Sequence, residues 1–197
     1  MSARAARALH KEIAACRECA AHLPHGVRPV APFSPTARVL IIGQAPGSKV
    51  HASGIPWDDA SGDRLCQWTG LDYETLHDPA RVAIVPMGFC YPGKASGGDK
   101  PPRRECAPLW HDSVLALLPK DRLTLLVGAH AQARYLPETR KLSMTERVRR
   151  FDEFLPEFFP LPHPAWRSAI WMRQHPWFER EVLPELRQRI VSALAQH

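Results

Sequence analysis

Short apolar runs recur along this chain, and each ends at residues that favour a turn. The clearest run covers residues 38–43, similar runs cover residues 82–87 and 123–127, and a weaker fourth covers residues 157–161. None of them alternates with polar positions, which is typical of strands buried on both faces of a parallel sheet. The pattern therefore predicts four strands of this kind.

Between these runs the apolar residues follow helical spacing, as Leu9, Ile13 and Cys16 do near the N-terminus. The helices predicted in this way cover residues 2–21, 61–69, 106–118, 129–135, 144–154 and 176–195. Strands that alternate with helices predict an α/β fold, a three-layer α/β/α sandwich with a central, mostly parallel four-stranded sheet. We expect one domain over residues 1–197, because no internal repeat or long linker divides the chain.

Ligand sites in such sheets form at the carboxyl ends of the strands. Three segments directly follow predicted strands: GQAPG at residues 43–47, GFC at residues 88–90 and PLPHP at residues 160–164. We therefore expect all three to converge on one cleft.

The charge of the chain changes this picture only slightly. A net charge of +6 is compatible with a polyanionic partner, but the arginines are scattered, so charge alone leaves nucleic-acid binding open. No apolar run approaches the ~18 residues that span a bilayer. The N-terminal segment has charged residues among its alanines and does not resemble a secretory signal. We therefore expect no membrane association and a cytoplasmic location, in which cysteines stay reduced.

The cysteines are candidates for metal binding. Cys16 and Cys19 form a CxxC, and Cys90 and Cys106 bracket a stretch rich in Pro and Gly. Two thiolate pairs far apart in sequence can surround one soft metal centre, either zinc or an iron–sulfur cluster. The fifth cysteine, Cys66, lies inside a predicted helix and is expected to be a packed thiol.

Two of the segments after strands contain candidate chemistry. The turn at residues 43–47 allows close approach of the backbone to a ligand, although it matches no phosphate-binding fingerprint and an ordinary strand-end turn is the alternative. His163 lies between Pro162 and Pro164, which hold its loop stiffly. A histidine placed in this way can donate to an oxygen that gains negative charge, but it can also be a loop residue without a role.

Taken together, GQAPG, the downstream GIPWDDASGDRL, the two cysteine pairs and HPAWRS resemble the uracil-DNA glycosylase superfamily. The likeness is greatest to its iron–sulfur branch, family 4, which has a GEAPG-type first motif, a G-x-P-F segment, four cluster cysteines and an HPS-type second motif. It extends from Cys16 to about Phe178. The resemblance implies a DNA glycosylase that removes uracil or another deaminated base in base excision repair, acting as a monomer.

The resemblance also implies roles for individual residues. Gln44 and His163 would be the catalytic residues, Gln44 by placing the attacking water and His163 by donating to O2 of the base. The base pocket would be formed by Gly43, Gln44, Ala45, Trp57 and His163. The residues that would contact DNA are Ser61, Trp166 and Arg167. The ligands of a structural [4Fe–4S] cluster, with zinc as the alternative, would be Cys16, Cys19, Cys90 and Cys106.

The sequence departs from the family pattern at three places. Gln44 replaces the usual Glu, and a glutamine can orient water but cannot act as a base at neutral pH. Asp58, Asp59 and Asp63 are candidate substitutes, although all three could equally be capping carboxylates at a helix N-terminus, an alternative that suits Asp59 best. Ala165 replaces the usual Ser, and residues 85–89 contain no asparagine to recognise the edge of the base.

These departures keep a second function open. A protein that binds DNA or senses damage could retain the fold with weak or no catalysis. A metal-dependent hydrolase of small molecules is disfavoured, because no cluster of His and carboxylate residues accompanies the cysteines.

Overall fold

The computed structural model describes residues 3–196 and contains a central parallel sheet with helices on both faces. The strands are β1 (Val39–Ile42), β2 (Val82–Ile84), β3 (Lys94–Ala95), β4 (Gly98–Asp99), β5 (Leu123–Val127) and β6 (Phe158–Leu161). The central sheet has the order β2-β1-β5-β6 and every pair in it is parallel, whereas β3 and β4 form a separate antiparallel hairpin. The predicted three-layer α/β/α fold is confirmed.

Nine α-helices lie within the described residues. They are α1 (Ala3–Ala15), α2 (Ser48–Ser53), α3 (Ala60–Thr69), α4 (Tyr73–His77), α5 (Cys106–Leu115), α6 (Ala129–Tyr135), α7 (Met144–Arg149), α8 (Ser168–Gln174) and α9 (Leu183–Leu194). Shorter helical turns cover Ala20–His22, Pro137–Thr139, Phe151–Phe154 and Phe178–Val182. No helix in this part of the chain is long and apolar enough to cross a membrane.

The apolar run in β1 contributes to both cores of the sandwich. Val39 and Ile41 pack on one side of the sheet with residues of α3 and α9, whereas Leu40 and Ile42 pack on the other side with residues of α1, α5 and α6. All four side chains are completely buried. The strand therefore lacks polar positions because neither of its faces meets water.

Several helices end earlier than their spacing predicts. The first ends at Ala15 rather than at residue 21, and Arg17 donates to the carbonyls of Ala14 and Cys16 at 3.1 and 2.8 Å, which satisfies acceptors that the helix leaves free. The helix predicted over residues 144–154 ends at Arg149 and continues as a 3-10 turn. Because α1 ends at Ala15, Cys16 lies outside the helix and faces a cavity.

Candidate active site

A cleft of about 480 Å³ opens at the carboxyl ends of the central strands. Its walls are the loop at residues 43–47, the β3–β4 hairpin and the segment that follows β6. Eight sequence-predicted site residues line it: Gly43, Gln44, Ala45, Trp57, Ser61, His163, Trp166 and Arg167. The fold thus brings together positions that are up to 124 residues apart in the chain, from Gly43 to Arg167.

The loop after β1 is held by the chain that leaves β2. Met87 N–H donates to the carbonyl of Gly43 at 2.9 Å, and Gly88 N–H donates to the carbonyl of Gln44 at 3.0 Å. The side-chain amide of Gln44 donates to the carbonyl of Lys100 at 3.4 Å, so it connects this loop to the end of the hairpin. The side-chain amide of Gln44 therefore already has a hydrogen-bond partner within the protein.

One expectation about convergence is wrong. The GFC segment at residues 88–90 does not line the cleft but the neighbouring cavity that also contains the cysteines. Met87 and Gly88 are hydrogen-bonded to the loop at residues 43–47, so the chain runs alongside this loop. Of residues 86–90, only Pro86 lines the cleft. The carbonyl of Pro86 lies 3.0 Å from Nε2 of the buried His111, which fixes this wall from behind.

Trp57 lines the cleft and has an unusual backbone conformation. Its φ of 58° is in the left-handed region, which a bulky residue adopts only when its surroundings enforce it. A Cβ on Gly62 would overlap the carbonyl oxygen of Trp57, and a Cβ on Gly43 would lie 3.0 Å from its ring. Glycine at position 62 is therefore required for the tryptophan to lie where it does, whereas a Cβ at position 43 would only press against its ring.

His163 faces the same space as Trp57. The two ring centroids are 5.6 Å apart, and the rings are tilted by 38°. The strand before His163 is anchored by the buried Gln132, whose amide donates to the carbonyl of Leu161 at 2.9 Å. Burial lowers the pKa of His163, and the carboxylates of Asp59 and Asp99 oppose this shift only in part. The imidazole is therefore neutral at pH 7, so one ring nitrogen carries a proton that it can donate to a ligand.

The segment after His163 forms an exposed rim on a fixed backbone. Arg64 donates to the carbonyl of Ala165 at 2.7 Å and to the hydroxyl of Ser168 at 3.1 Å, which ties the segment to α3. Trp166 is 66% exposed, and the guanidinium of Arg167 lies 4.5 Å from the centre of its ring. A large exposed aromatic with a cation on it, at the mouth of a cleft, is suited to stacking on bases and to binding phosphates.

The carboxylates proposed as substitutes for the missing Glu are not placed alike. Asp59 lines the cleft, but its Oδ1 caps α3 by accepting from the N–H groups of Ser61 and Gly62 at 2.8 and 3.1 Å. Asp58 and Asp63 do not line the cleft. Sequence reasoning missed Asp99, which does line it from the hairpin. Its only signal in the sequence is a charged residue after two glycines, which is too common to single it out.

The four cysteines predicted to bind metal line one common cavity, next to Phe89 and Arg103. The N–H of Phe89 lies 3.3 Å from Sγ of Cys106 and donates to it. Burial raises the pKa of the Cys106 thiol to about 12, and neighbouring cysteines add to the rise. No group of three or more His, Cys, Asp or Glu side chains within residues 3–196 has the geometry to hold a metal ion. Metal binding stays a prediction. Cys66 lies apart from this cavity and packs against the main core.

The comparison with known families agrees with the arrangement of the cleft. A sequence model of the Uracil DNA glycosylase superfamily matches residues 31–187. The match covers the loop after β1, Trp57, the hairpin and His163 with its rim, whereas Cys16 and Cys19 lie before it. Because it spans most of the 197 residues, the chain belongs to the uracil DNA glycosylase superfamily.

Proposed function

We propose that this protein hydrolyses the N-glycosidic bond of uracil or another deaminated base that has been flipped out of DNA. The observation that carries the proposal is the single cleft in which Trp57, the neutral imidazole of His163 and the exposed rim of Trp166 and Arg167 meet. An aromatic surface, a hydrogen-bond donor and a wedge are the parts that such a reaction needs.

The rim would help to bring the base into the cleft. A base inside a duplex cannot be attacked, and extruding it costs about a few kcal/mol of stacking and pairing. Trp166 would occupy the gap left in the stack, and Trp57 would stack on the flipped base. Since Arg64 holds the rim backbone to α3, little ordering of this segment remains to be done on binding.

His163 would act on the leaving base. As the glycosidic bond breaks, positive charge develops on the sugar and negative charge develops on the base. A donor aimed at the oxygen that gains charge stabilises this state, and a preorganised one does so without reorganisation. The two prolines beside His163 and the anchored end of β6 preorganise it.

The identity of the base is the finer part of the proposal. Residues 85–89 supply no side-chain amide, and the cleft wall there is formed by Pro86. Recognition of the base edge would therefore depend on backbone groups and on His163. Uracil, hypoxanthine and xanthine all present carbonyl oxygens to such donors, so all three belong in the test.

The test uses oligonucleotides that contain one uracil, hypoxanthine or xanthine, in single- and double-stranded form. After incubation with the purified protein, alkaline treatment cleaves the strand wherever a base has been removed, and a gel displays the products. We expect cleavage at one or more of these bases and none at the matched undamaged oligonucleotide. Binding without any base removal would instead support a DNA-binding or damage-sensing protein, which the engagement of Gln44 by Lys100 favours as the second candidate.

We further propose that Cys16, Cys19, Cys90 and Cys106 bind a structural [4Fe–4S] cluster. Their common cavity and the N–H bond from Phe89 to Cys106 suit thiolate ligands, which such clusters require. The cluster would hold the N-terminal segment with Cys16 and Cys19 against the chain around Cys90 and Cys106, and no chemical step at the cleft involves it. Zinc is the alternative occupant.

Removing one ligand tests this assignment. We expect the anaerobically purified protein to contain about four iron atoms and matching sulfide per chain, with the broad visible absorption of a cluster. Cys106→Ala should lose this iron and unfold at a lower temperature, because a buried anchor of the N-terminal segment is gone. Cys66→Ala is the matched control and should keep the full iron content. Zinc in place of iron in the wild-type protein would contradict the cluster.

A further inference from the structure

The β3–β4 hairpin places a carboxylate in the cleft that sequence analysis did not find. Asp99 ends β4 and lines the cleft together with Gln44, Trp57 and His163. Its side chain is 33% exposed, so it meets solvent as well as the protein. It also acts electrostatically on the imidazole of His163. The hairpin is therefore part of the cleft wall that faces the candidate donor.

The orientation of Asp99 is held by its neighbours. The hydroxyl of the buried Tyr91 lies 3.4 Å from Oδ1 and donates to it, and the ammonium of Lys94 lies 3.6 Å from the same oxygen. Tyr91 is fixed in turn by ring contacts with His25 at 5.1 Å and His51 at 5.8 Å. A carboxylate supported in this way has a defined direction in the cleft.

The second oxygen of Asp99 is directed toward the loop after β1. Oδ2 lies 3.5 Å from the position that a Cβ on Gly47 would take, so the absence of a side chain there leaves room beside it. Asp59 lies on the same side of the cleft, but its Oδ1 is occupied by capping α3. Oδ2 of Asp59 lies 4.0 Å from the same Cβ position, so the two carboxylates differ in what holds them: Asp59 is fixed as the cap of α3, whereas Asp99 is held by the side chains of Tyr91 and Lys94.

Gln44 connects the hairpin to the loop after β1 and is not itself a base. Its amide cannot accept a proton at neutral pH, and it donates to the carbonyl of Lys100, the residue directly after Asp99. The contact joins the end of the hairpin to the loop at residues 43–47. The position that lacks a carboxylate therefore helps to hold another one in the cleft.

We infer that Asp99 is the general base that activates the attacking water in this cleft. The inference rests on the proposed function. The water oxygen forms a bond to C1′ of the sugar as the bond from C1′ to the base nitrogen breaks, and the electron pair of that bond leaves with the base. The proton released by the water passes to the carboxylate of Asp99 and from there to the departed base or to solvent. His163 stabilises the negative charge on the base during this step.

The test compares single-turnover excision by the wild type, Asp99→Asn and Asp99→Ala on the oligonucleotide that the wild type cleaves best. Loss of a general base reduces the rate by about 10²–10⁴-fold, and we expect Asp99→Asn to fall in this range. The amide oxygen of asparagine can still accept from Tyr91, so the hairpin should persist. Affinity for DNA that carries a non-hydrolysable nucleotide should change by only a few-fold. Asp63→Asn, a carboxylate outside the cleft, is the matched control and should match the wild type.

Chemical rescue separates a base from a merely structural carboxylate. Added formate should raise the rate of Asp99→Ala several-fold, whereas chloride at the same ionic strength should not, because only formate can accept the proton. Lack of rescue, or an excision rate for Asp99→Asn within a few-fold of the wild type, would overturn the role of Asp99 and leave the glycosylase intact. A wild type that excises none of the bases would overturn the glycosylase and this role together.

Discussion

Replacing His163 with alanine should reduce the rate of base excision by about 10²–10³-fold, the range typical of losing one preorganised donor to a developing oxyanion. The imidazole faces Trp57 across the cleft, and burial keeps it neutral by lowering its pKa, so in the wild type it can offer an N–H to the base. Single-turnover kinetics on the preferred oligonucleotide would measure the change, since product release does not enter.

Two further variants test whether the loss of rate comes from the missing N–H donor at this position. His163→Gln keeps an N–H donor of similar reach, and we expect it to retain more activity than His163→Ala. His130→Ala removes an exposed histidine of α6 outside the cleft and should leave the rate unchanged. Affinity of His163→Ala for DNA should stay close to that of the wild type. A full rate in His163→Ala would show that the donor lies elsewhere, and the backbone N–H groups of the loop at residues 43–47 would then be the candidates.

The sheet, the loop at residues 43–47 and His163 could be predicted from local signals, whereas Trp57, Ser61, Trp166 and Arg167 were assigned only through the resemblance to the family. The continuous apolar runs reflect burial on both faces, which the two cores on either side of β1 confirm. His163 was found because prolines flank it, and the loop at residues 43–47 because it directly follows a strand. Their meeting in one cleft follows from the parallel order of the strands.

The hairpin could not be predicted in the same way. Each of its strands has two residues, all of them exposed, so no alternating or apolar pattern marks them. The contribution of Asp99 depends on contacts with Tyr91, with its cross-strand partner Lys94 and with the loop at Gly47, none of which a sequence pattern marks. The path of residues 88–90 is not evident from the sequence for a related reason, since the hydrogen bonds from Met87 and Gly88 to Gly43 and Gln44 decide where this stretch leads.

Replacing Gly62 with alanine should damage both stability and excision, although Gly62 itself carries no chemistry. The new Cβ would overlap the carbonyl oxygen of Trp57, and backbone cannot move aside as the end of a flexible side chain can. Strain of this kind in a packed site costs about 1–3 kcal/mol in the free energy of unfolding. Urea denaturation would measure that loss.

The effect on excision should be larger than the loss of stability alone suggests. Trp57 must shift to relieve the overlap, and its ring lies between Gly43 and His163, so the surface that would hold the base shifts with it. A displacement of about 1 Å in a catalytic site can reduce the rate by about 10²-fold. Gly26→Ala is the control, because its φ of 85° also strains an alanine but nothing lies within 4 Å of the added carbon. It should lose some stability and keep its excision rate. Equal excision by the two variants, both folded, would mean that the position of Trp57 does not govern the reaction.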